Sequence, residues 1–175
     1  GWPFNEKRNL LWRLMAYAGS WLTALLVDDV ITVSQKDTNQ AYRLPFVGRN
    51  KIHLTYVGID MIDLLDQSNA RRILLEHTEL VPPRGAIWIG TIAELHKNKG
   101  LTYAIQALAR LKQLNHNVFM VVISDGEERA RLEAQAEKSG VADLLALVGV
   151  VPEAVTLLRA FDIFMLPSLK EGLPY

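Results

Sequence analysis

Four short apolar runs in the second half of the chain, residues 86–89, 118–123, 144–148 and 163–166, constrain the fold most. They are nearly unbroken rather than alternating, the pattern of parallel strands buried on both faces. Helical patterns separate them. Leu101, Ala104, Ile105, Leu108 and Leu111 recur at the spacing of one face of an amphipathic helix. Residues 127–138 are charged and helix-favouring, and they stop at Ser139-Gly140, a glycine end signal. Pro152-Glu153 predicts the start of a third helix, with Ala154, Val155, Leu158 and Phe161 along its apolar side. Alternation of strand and helix implies right-handed crossovers, and so an α/β fold with a parallel sheet and flanking helices. Ligands of such sheets bind beyond the carboxyl ends of the strands. The loops 90–100, 124–127, 149–152 and 167–175 all fall on that edge.

The first half is less regular. Residues 10–27 are a largely apolar run whose single charge is Arg13, and the run reaches the lower limit of membrane-spanning length. Arg13, Gly19-Ser20 and the closing Asp28-Asp29 favour a buried helix of a soluble domain. The alternative is a peripheral membrane contact through Leu10 to Val27, with Trp12, Tyr17 and Trp21 beside Arg13. Residues 30–34 predict a buried strand, 37–44 a short helix ended before Pro45, and 51–56 a strand closed by Gly58. Residues 63–80 predict an amphipathic helix with Arg71 and Arg72 facing solvent. Pro82-Pro83-Arg84-Gly85 is the clearest punctuation in the chain.

Composition removes several functions. The 175 residues suffice for one ordinary domain or two small ones. Lys and Arg number 19, as do Asp and Glu, which argues against a dedicated nucleic-acid binder. Cysteine is absent, so disulfides, thiolate nucleophiles and cysteine metal sites are excluded. His53, His77, His96 and His116 have no metal-ligand spacing. No basic leader with a cleavage site opens the chain, and no serine lies in a nucleophile elbow.

The four loops differ in chemistry. The first places Lys97, Lys99 and Gly100 just before a helix, whose free N–H groups and dipole attract a phosphate. It holds neither the dinucleotide glycine fingerprint nor a P-loop. A solvated basic turn explains it as well. The second, Ser124-Asp125-Gly126-Glu127-Glu128, reads as a tight turn whose carboxylates would repel phosphate. The third, with Val150 and Val151, is apolar and suits a flat base or plain packing, and packing is preferred. The fourth carries Glu171 ahead of Gly172, so backbone N–H groups beside a carboxylate can approach a ligand closely.

Together these pieces resemble the C-terminal domain of the group 1 glycosyltransferases, retaining enzymes with the two-domain GT-B architecture. The resemblance runs from Gly85 to Tyr175. It rests on Ile89-Gly90 leading to Lys99-Gly100, on Asp125-Gly126-Glu127-Glu128-Arg129, on Leu147-Val148-Gly149-Val150, and on Phe161 to Ser168 with Glu171-Gly172-Leu173-Pro174. Earlier, Asp28 to Ser34 and Tyr56-Val57-Gly58-Ile59-Asp60 are similar to the family's late N-domain strand and its domain crossing.

The resemblance implies a Rossmann-like sheet and transfer of a sugar from a nucleotide-sugar with retention at the anomeric carbon. It implies no metal and no cofactor, the donor being a co-substrate. Lys99 would contact the diphosphate, with Lys97 and Gly100 beside it. Glu171 would be the catalytic carboxylate near the donor sugar, Gly172 and Leu173 would offer backbone N–H groups, and Val150 and Val151 would lie near the base. The acceptor, a glycan, lipid or small molecule, is not specified. Expected domains are 1–60, an acceptor-side portion; 61–84, a linker helix and crossing; and 85–175, an incomplete nucleotide-sugar domain. The chain is expected to be an internal piece, inactive alone and cytoplasmic, with the cytoplasmic face of a membrane as the alternative location. Three departures stand out. The family's arginine falls on Glu94 or Thr91, its crossing asparagine is Val57, and the second glutamate of its E-x7-E motif would lie beyond Tyr175. A non-catalytic nucleotide-binding module is the rival reading. A nicotinamide oxidoreductase lacks its glycine fingerprint.

Overall fold

The computed structural model describes residues 2–5, 9–56, 58 and 61–169. Two compact units result, one formed before Met61 and one from Met61 onward.

In the first unit, helix α1 (Leu10–Leu26) starts at Asn9, whose side chain accepts the Trp12 N–H at 2.9 Å. Strands β1 (Val30–Thr32) and β2 (Ile52–Leu54) pair in parallel, Val30 opposite Ile52. Between them Ser34 caps the short helix α2 (Gln35–Ala41) by accepting the Asp37 N–H. Ala24, Ala41, Leu44, Val47 and Ile52 form a small core. The expectation of a buried α1 is corrected. Among its described residues only Ala24 is buried, and Leu10, Leu11, Leu14, Met15, Leu22 and Leu26 are exposed. A two-stranded sheet and one short helix cover a single stripe of a 17-residue helix. Ile31 of β1 is exposed for the same reason.

The second unit carries the sheet. Helix α3 (Gln67–Leu75) precedes β3 (Ile87–Ile92), α4 (Leu101–Gln113), β4 (Val118–Ile123), α5 (Arg129–Lys138), β5 (Leu145–Gly149) and β6 (Ile163–Phe164). The strands run parallel in the order β5-β4-β3-β6. All six residues of β4 are buried, and they alternate between two cores. Val118, Met120 and Val122 meet Leu101, Ala104, Ile105 and Leu108 of α4 with Leu132 and Ala136 of α5. Phe119, Val121 and Ile123 meet Ala70 and Leu74 of α3 with Leu157 and Ala160. Each buried Leu or Ile contributes about 1.5–3 kcal/mol as an upper estimate. The helix ends are set locally. Gly140, at φ 65°, closes α5 with Val141 N–H bonded to Ala136 O and Gly140 N–H to Glu137 O. Asn115, at φ 59°, closes α4 in the same way.

Three further expectations change. Residues 154–160 form a 3-10 helix (Ala154–Ala160) rather than an α-helix. Its period of three puts Ala154, Leu157 and Ala160 against the core, while Val155 is exposed. Among the described residues strand β6 lies at the edge of the sheet, and Ile163 and Phe164 are about half exposed there (51% and 49%) rather than buried on both faces. Helix α3 is shorter than 63–80, and Arg71 turns inward. Its Nε donates to Ala160 O at 2.8 Å and its Nη2 to Asp162 at 2.8 Å, with the guanidinium over the Trp88 ring. The same Asp162 carboxylate accepts the Trp88 N–H at 2.7 Å, tying α3 to the start of β3. Arg72 alone faces solvent, paired with Glu76.

Candidate functional site

The sheet changes direction between β3 and β6. The chain steps outward from β3 through β4 to β5, then returns to the other side of β3. Such a switch point opens a crevice at the carboxyl ends of the strands. Two loops meet there. After β3, residues 93–95 run beside the β4 loop, with Ala93 N–H bonded to Ile123 O and Leu95 N–H to Asp125 O. Gly126 permits this approach, since a Cβ there would lie 2.6 Å from Leu95 O. The chain then turns through a 3-10 segment, Lys97–Lys99, and Gly100, at φ 65°, opens α4. From the other side, Met165 N–H bonds Gly90 O and Leu169 N–H bonds Asn98 O, both at 2.8 Å. A Cβ on Gly100 would lie 2.2 Å from Pro167 O. The β3 and β6 loops are therefore in backbone contact at the start of α4.

Lys99 is half-buried in this corner. No side chain caps α4, so its first turn can accept an anion. Lys97 is exposed and its Nζ lies 4.0 Å from Glu128 Oε1, a pair of small energetic weight. His96 lies 3.6 Å from Glu127 Oε1. Carboxylates of the β4 loop thus stand beside both Lys97 and His96. Asp125 is held below its ordinary pKa, first by its hydrogen bond from Arg129 and then by the Gly126 N–H. Arg129 is raised by the same bond, and it also reaches Glu133 and Leu147 O. Its charge is committed to holding α5 against β5.

The β5 loop presents Val150 to solvent, 71% exposed, whereas the Val151 side chain is 7% exposed within the core. Only the backbone of Val151 can face a ligand. Glu171, Gly172, Leu173 and Val57 lie outside the described residues. Neither candidate for the missing arginine supplies a cation. Glu94 is exposed, and Thr91 sits in β3 fully buried, its hydroxyl without a hydrogen-bond partner among the described residues. Ser124, which sequence alone leaves in a structural turn, has φ 129° at the head of the β4 loop. Residue order carries no signal of that strain.

Comparison with known proteins gives the class. The family model for group 1 glycosyl transferases matches residues 75–175. The chain is 26% identical over 171 residues to the O-antigen biosynthesis glycosyltransferase WclY of Escherichia coli, covering 98% of this chain and 44% of that protein. Sucrose-phosphate synthase from Thermosynechococcus elongatus superposes with a TM-score of 0.69 at 20% identity, over 96% of this chain and 41% of that one. Anabaena Alr3699/HepE, in complex with UDP-glucose, superposes with a TM-score of 0.68 at 18% identity, over 86% of this chain and 41% of that one. The chain belongs to the group 1 glycosyltransferases and has their GT-B-type α/β fold. It spans less than half the length of the relatives named here.

Proposed function

We propose that the intact protein transfers a sugar from a nucleotide-sugar donor to an acceptor hydroxyl with retention of configuration. The observation that carries this reading is the backbone contact between the β3 and β6 loops at the switch point. It gathers Lys99, the uncapped start of α4 and the segment leading to Glu171 around one corner. The UDP-glucose complex of a structural neighbour supports the donor class.

In this reading the bond between the anomeric carbon and the diphosphate breaks, and negative charge grows on the leaving phosphate. Lys99 and the α4 N–H groups stabilise it where it develops. The Glu171 carboxylate faces the positive charge of the sugar ring. The acceptor hydroxyl then bonds the anomeric carbon on the face the diphosphate leaves, its O–H bond breaking as its proton passes to the leaving phosphate oxygen. Lys97 and the Gly172 and Leu173 N–H groups add weaker donor contacts, and the base lies along Val150 and the Val151 backbone. Because the chain covers less than half of its relatives, the 175 residues alone are expected to be inactive. The exposed apolar residues of α1 beside Arg13 support a peripheral membrane contact at the cytoplasmic face, although no helix among the described residues is long and apolar enough to cross a membrane.

The test is a transfer assay on the intact protein with UDP-, GDP- and ADP-sugars, the anomeric configuration of the product read by NMR. Glu171→Ala should lower kcat by about 100-fold or more. Lys99→Ala should raise the donor KM about tenfold or more, the loss of one charged hydrogen bond. Wild-type turnover by both variants overturns the assignment. Nucleoside diphosphate binding without any transfer favours the non-catalytic module.

A further inference from the structure

We infer that His96 is a positioning residue of this site: its ring fixes the turn that carries Lys99 and, through Asn98, the loop that follows β6. The part that concerns the donor rests on the nucleotide-sugar reading above. His96 stands at the head of the 3-10 turn Lys97–Lys99 with extended backbone, φ −126° and ψ 150°. Its Nδ1 accepts the Asn98 N–H at 3.2 Å, the bond by which a serine, aspartate or asparagine ordinarily caps a helix. Its own carbonyl accepts the Lys99 N–H at 2.9 Å. An Nδ1 that accepts carries no hydrogen, so the ring hydrogen is on Nε2. Nε2 faces the Glu127 carboxylate of the β4 loop, 3.6 Å away. The ring is thereby oriented from both sides.

The neighbours of this turn show why one cap matters. Leu95, before it, is fully buried and bonded to the β4 loop through both peptide groups, its N–H to Asp125 O and its carbonyl from the Glu128 N–H, each at 3.0 Å. Gly100, after it, is pressed against Pro167 O. Between these anchors the backbone makes a short 3-10 turn, with Asn98 exposed. Asn98 is nonetheless engaged twice: its N–H by the His96 ring, and its carbonyl by the Leu169 N–H at 2.8 Å. Closing the turn with the first bond sets the direction of the second. Without the ring the turn loses its capping acceptor, and the Asn98 carbonyl and the Lys99 side chain lose the orientation that the closed turn gives them. The ring acts through these neighbours, because its accepting nitrogen is already taken by Asn98.

The experiment uses the intact protein, with UDP, GDP and ADP titrated by calorimetry and amide hydrogen exchange read at Leu169. His96→Ala removes the cap. It should weaken binding of the tightest nucleotide about three- to tenfold and speed exchange at Leu169 by a similar factor. His96→Asn supplies a capping oxygen without the ring, and should restore both to within about twofold of the wild type. Lys112→Ala removes bonds to Gly140 O and Asp143 at the far end of α4. It should lower Tm without changing either readout, so that a loss in His96→Ala is not one of general stability. Wild-type binding or wild-type Leu169 exchange in His96→Ala overturns the inference, as does a loss that His96→Asn fails to restore. A wild type that binds no nucleoside diphosphate overturns the nucleotide-sugar reading, and Leu169 exchange in the variants still decides whether His96 holds the β6 loop.

Discussion

Gly100 carries two constraints that alanine substitutions can separate. Its φ of 65° is left-handed, and its missing Cβ makes room for Pro167 O. Gly140 has the same φ of 65° but nothing within 4 Å of the Cβ position. Gly140→Ala should therefore cost only the left-handed penalty, about 1–2 kcal/mol. Gly100→Ala should cost that and also force the β3 and β6 loops apart, since a backbone oxygen cannot yield as a flexible side chain can. The expected result is a lower Tm for both variants, a larger drop for Gly100→Ala, and weakened nucleoside diphosphate binding for Gly100→Ala alone. Equal Tm shifts with unchanged binding would show that the close approach does not shape the site. The Lys99-Gly100 pair ahead of a helix is legible in sequence. The contact with Pro167 is not, because it depends on two loops that meet only once β3 and β6 pair. Thr91 is similar: its type is readable, but its burial without a partner follows from the strand's place under α4.

At the scale of elements, α3 shows how a helix end titrates. Its cap is Asp66, which accepts from Ser68 Oγ at 2.6 Å, from the Asn69 N–H at 3.0 Å and from the Asn69 side chain at 2.6 Å. These bonds, the Ser68 hydroxyl first, lower its pKa from 3.8 to about 2. The folded form thus holds its proton less tightly than the unfolded chain. Its contribution is fully present above the unfolded value and is lost as pH falls from about 4 towards 2. Asparagine caps a helix comparably but does not titrate. Asp66→Asn should flatten that part of the acid limb, measured as the pH dependence of hydrogen exchange at residues 70–75, with little change at pH 7. An acid limb identical to that of the wild type would move its cause elsewhere. The elements were legible where one local pattern decides them. The uniformly apolar β4 and the i, i+3, i+4, i+7 stripe of α4 stand almost where the sequence places them. The segment 154–160 was not, because its apolar residues fit either period: Ala154, Leu157 and Ala160 recur every three, and Ala154, Val155, Leu158 and Phe161 recur at the α-helical spacing. The sequence predicts Arg71 as a surface charge, and partners distant in sequence, Ala160 O, Asp162 and the Trp88 ring, draw it inward.

For the whole molecule, the two units differ in how much they bury. Among its described residues the first has five buried core residues and an α1 that is mostly open. The second has cores of 14 and 13 buried residues on the two faces of one sheet. Opening free energy follows buried contacts, so the units should not unfold as one. The tryptophans are placed to report this. Trp2, Trp12 and Trp21 lie in the first unit, while Trp88 is buried in the second, edge-on to Phe119 at 5.2 Å. In urea, tryptophan fluorescence should change first and be dominated by the first unit. Far-UV circular dichroism, which adds α3, α4, α5 and the four-stranded sheet to the α1 and α2 signal, should have a higher midpoint. Replacing the three early tryptophans with phenylalanine should move the fluorescence midpoint above that of circular dichroism, since Trp88 then reports the second unit alone while α1 and α2 still contribute to the dichroism. Hydrogen exchange adds the order within the sheet. The β4 amides, flanked by β3 and β5 and covered on both faces, should exchange most slowly, with β1 and β2 far ahead of them. Coincident urea transitions, or β1 amides as slow as those of β4, would mean that the small core of the first unit opens only with the large one.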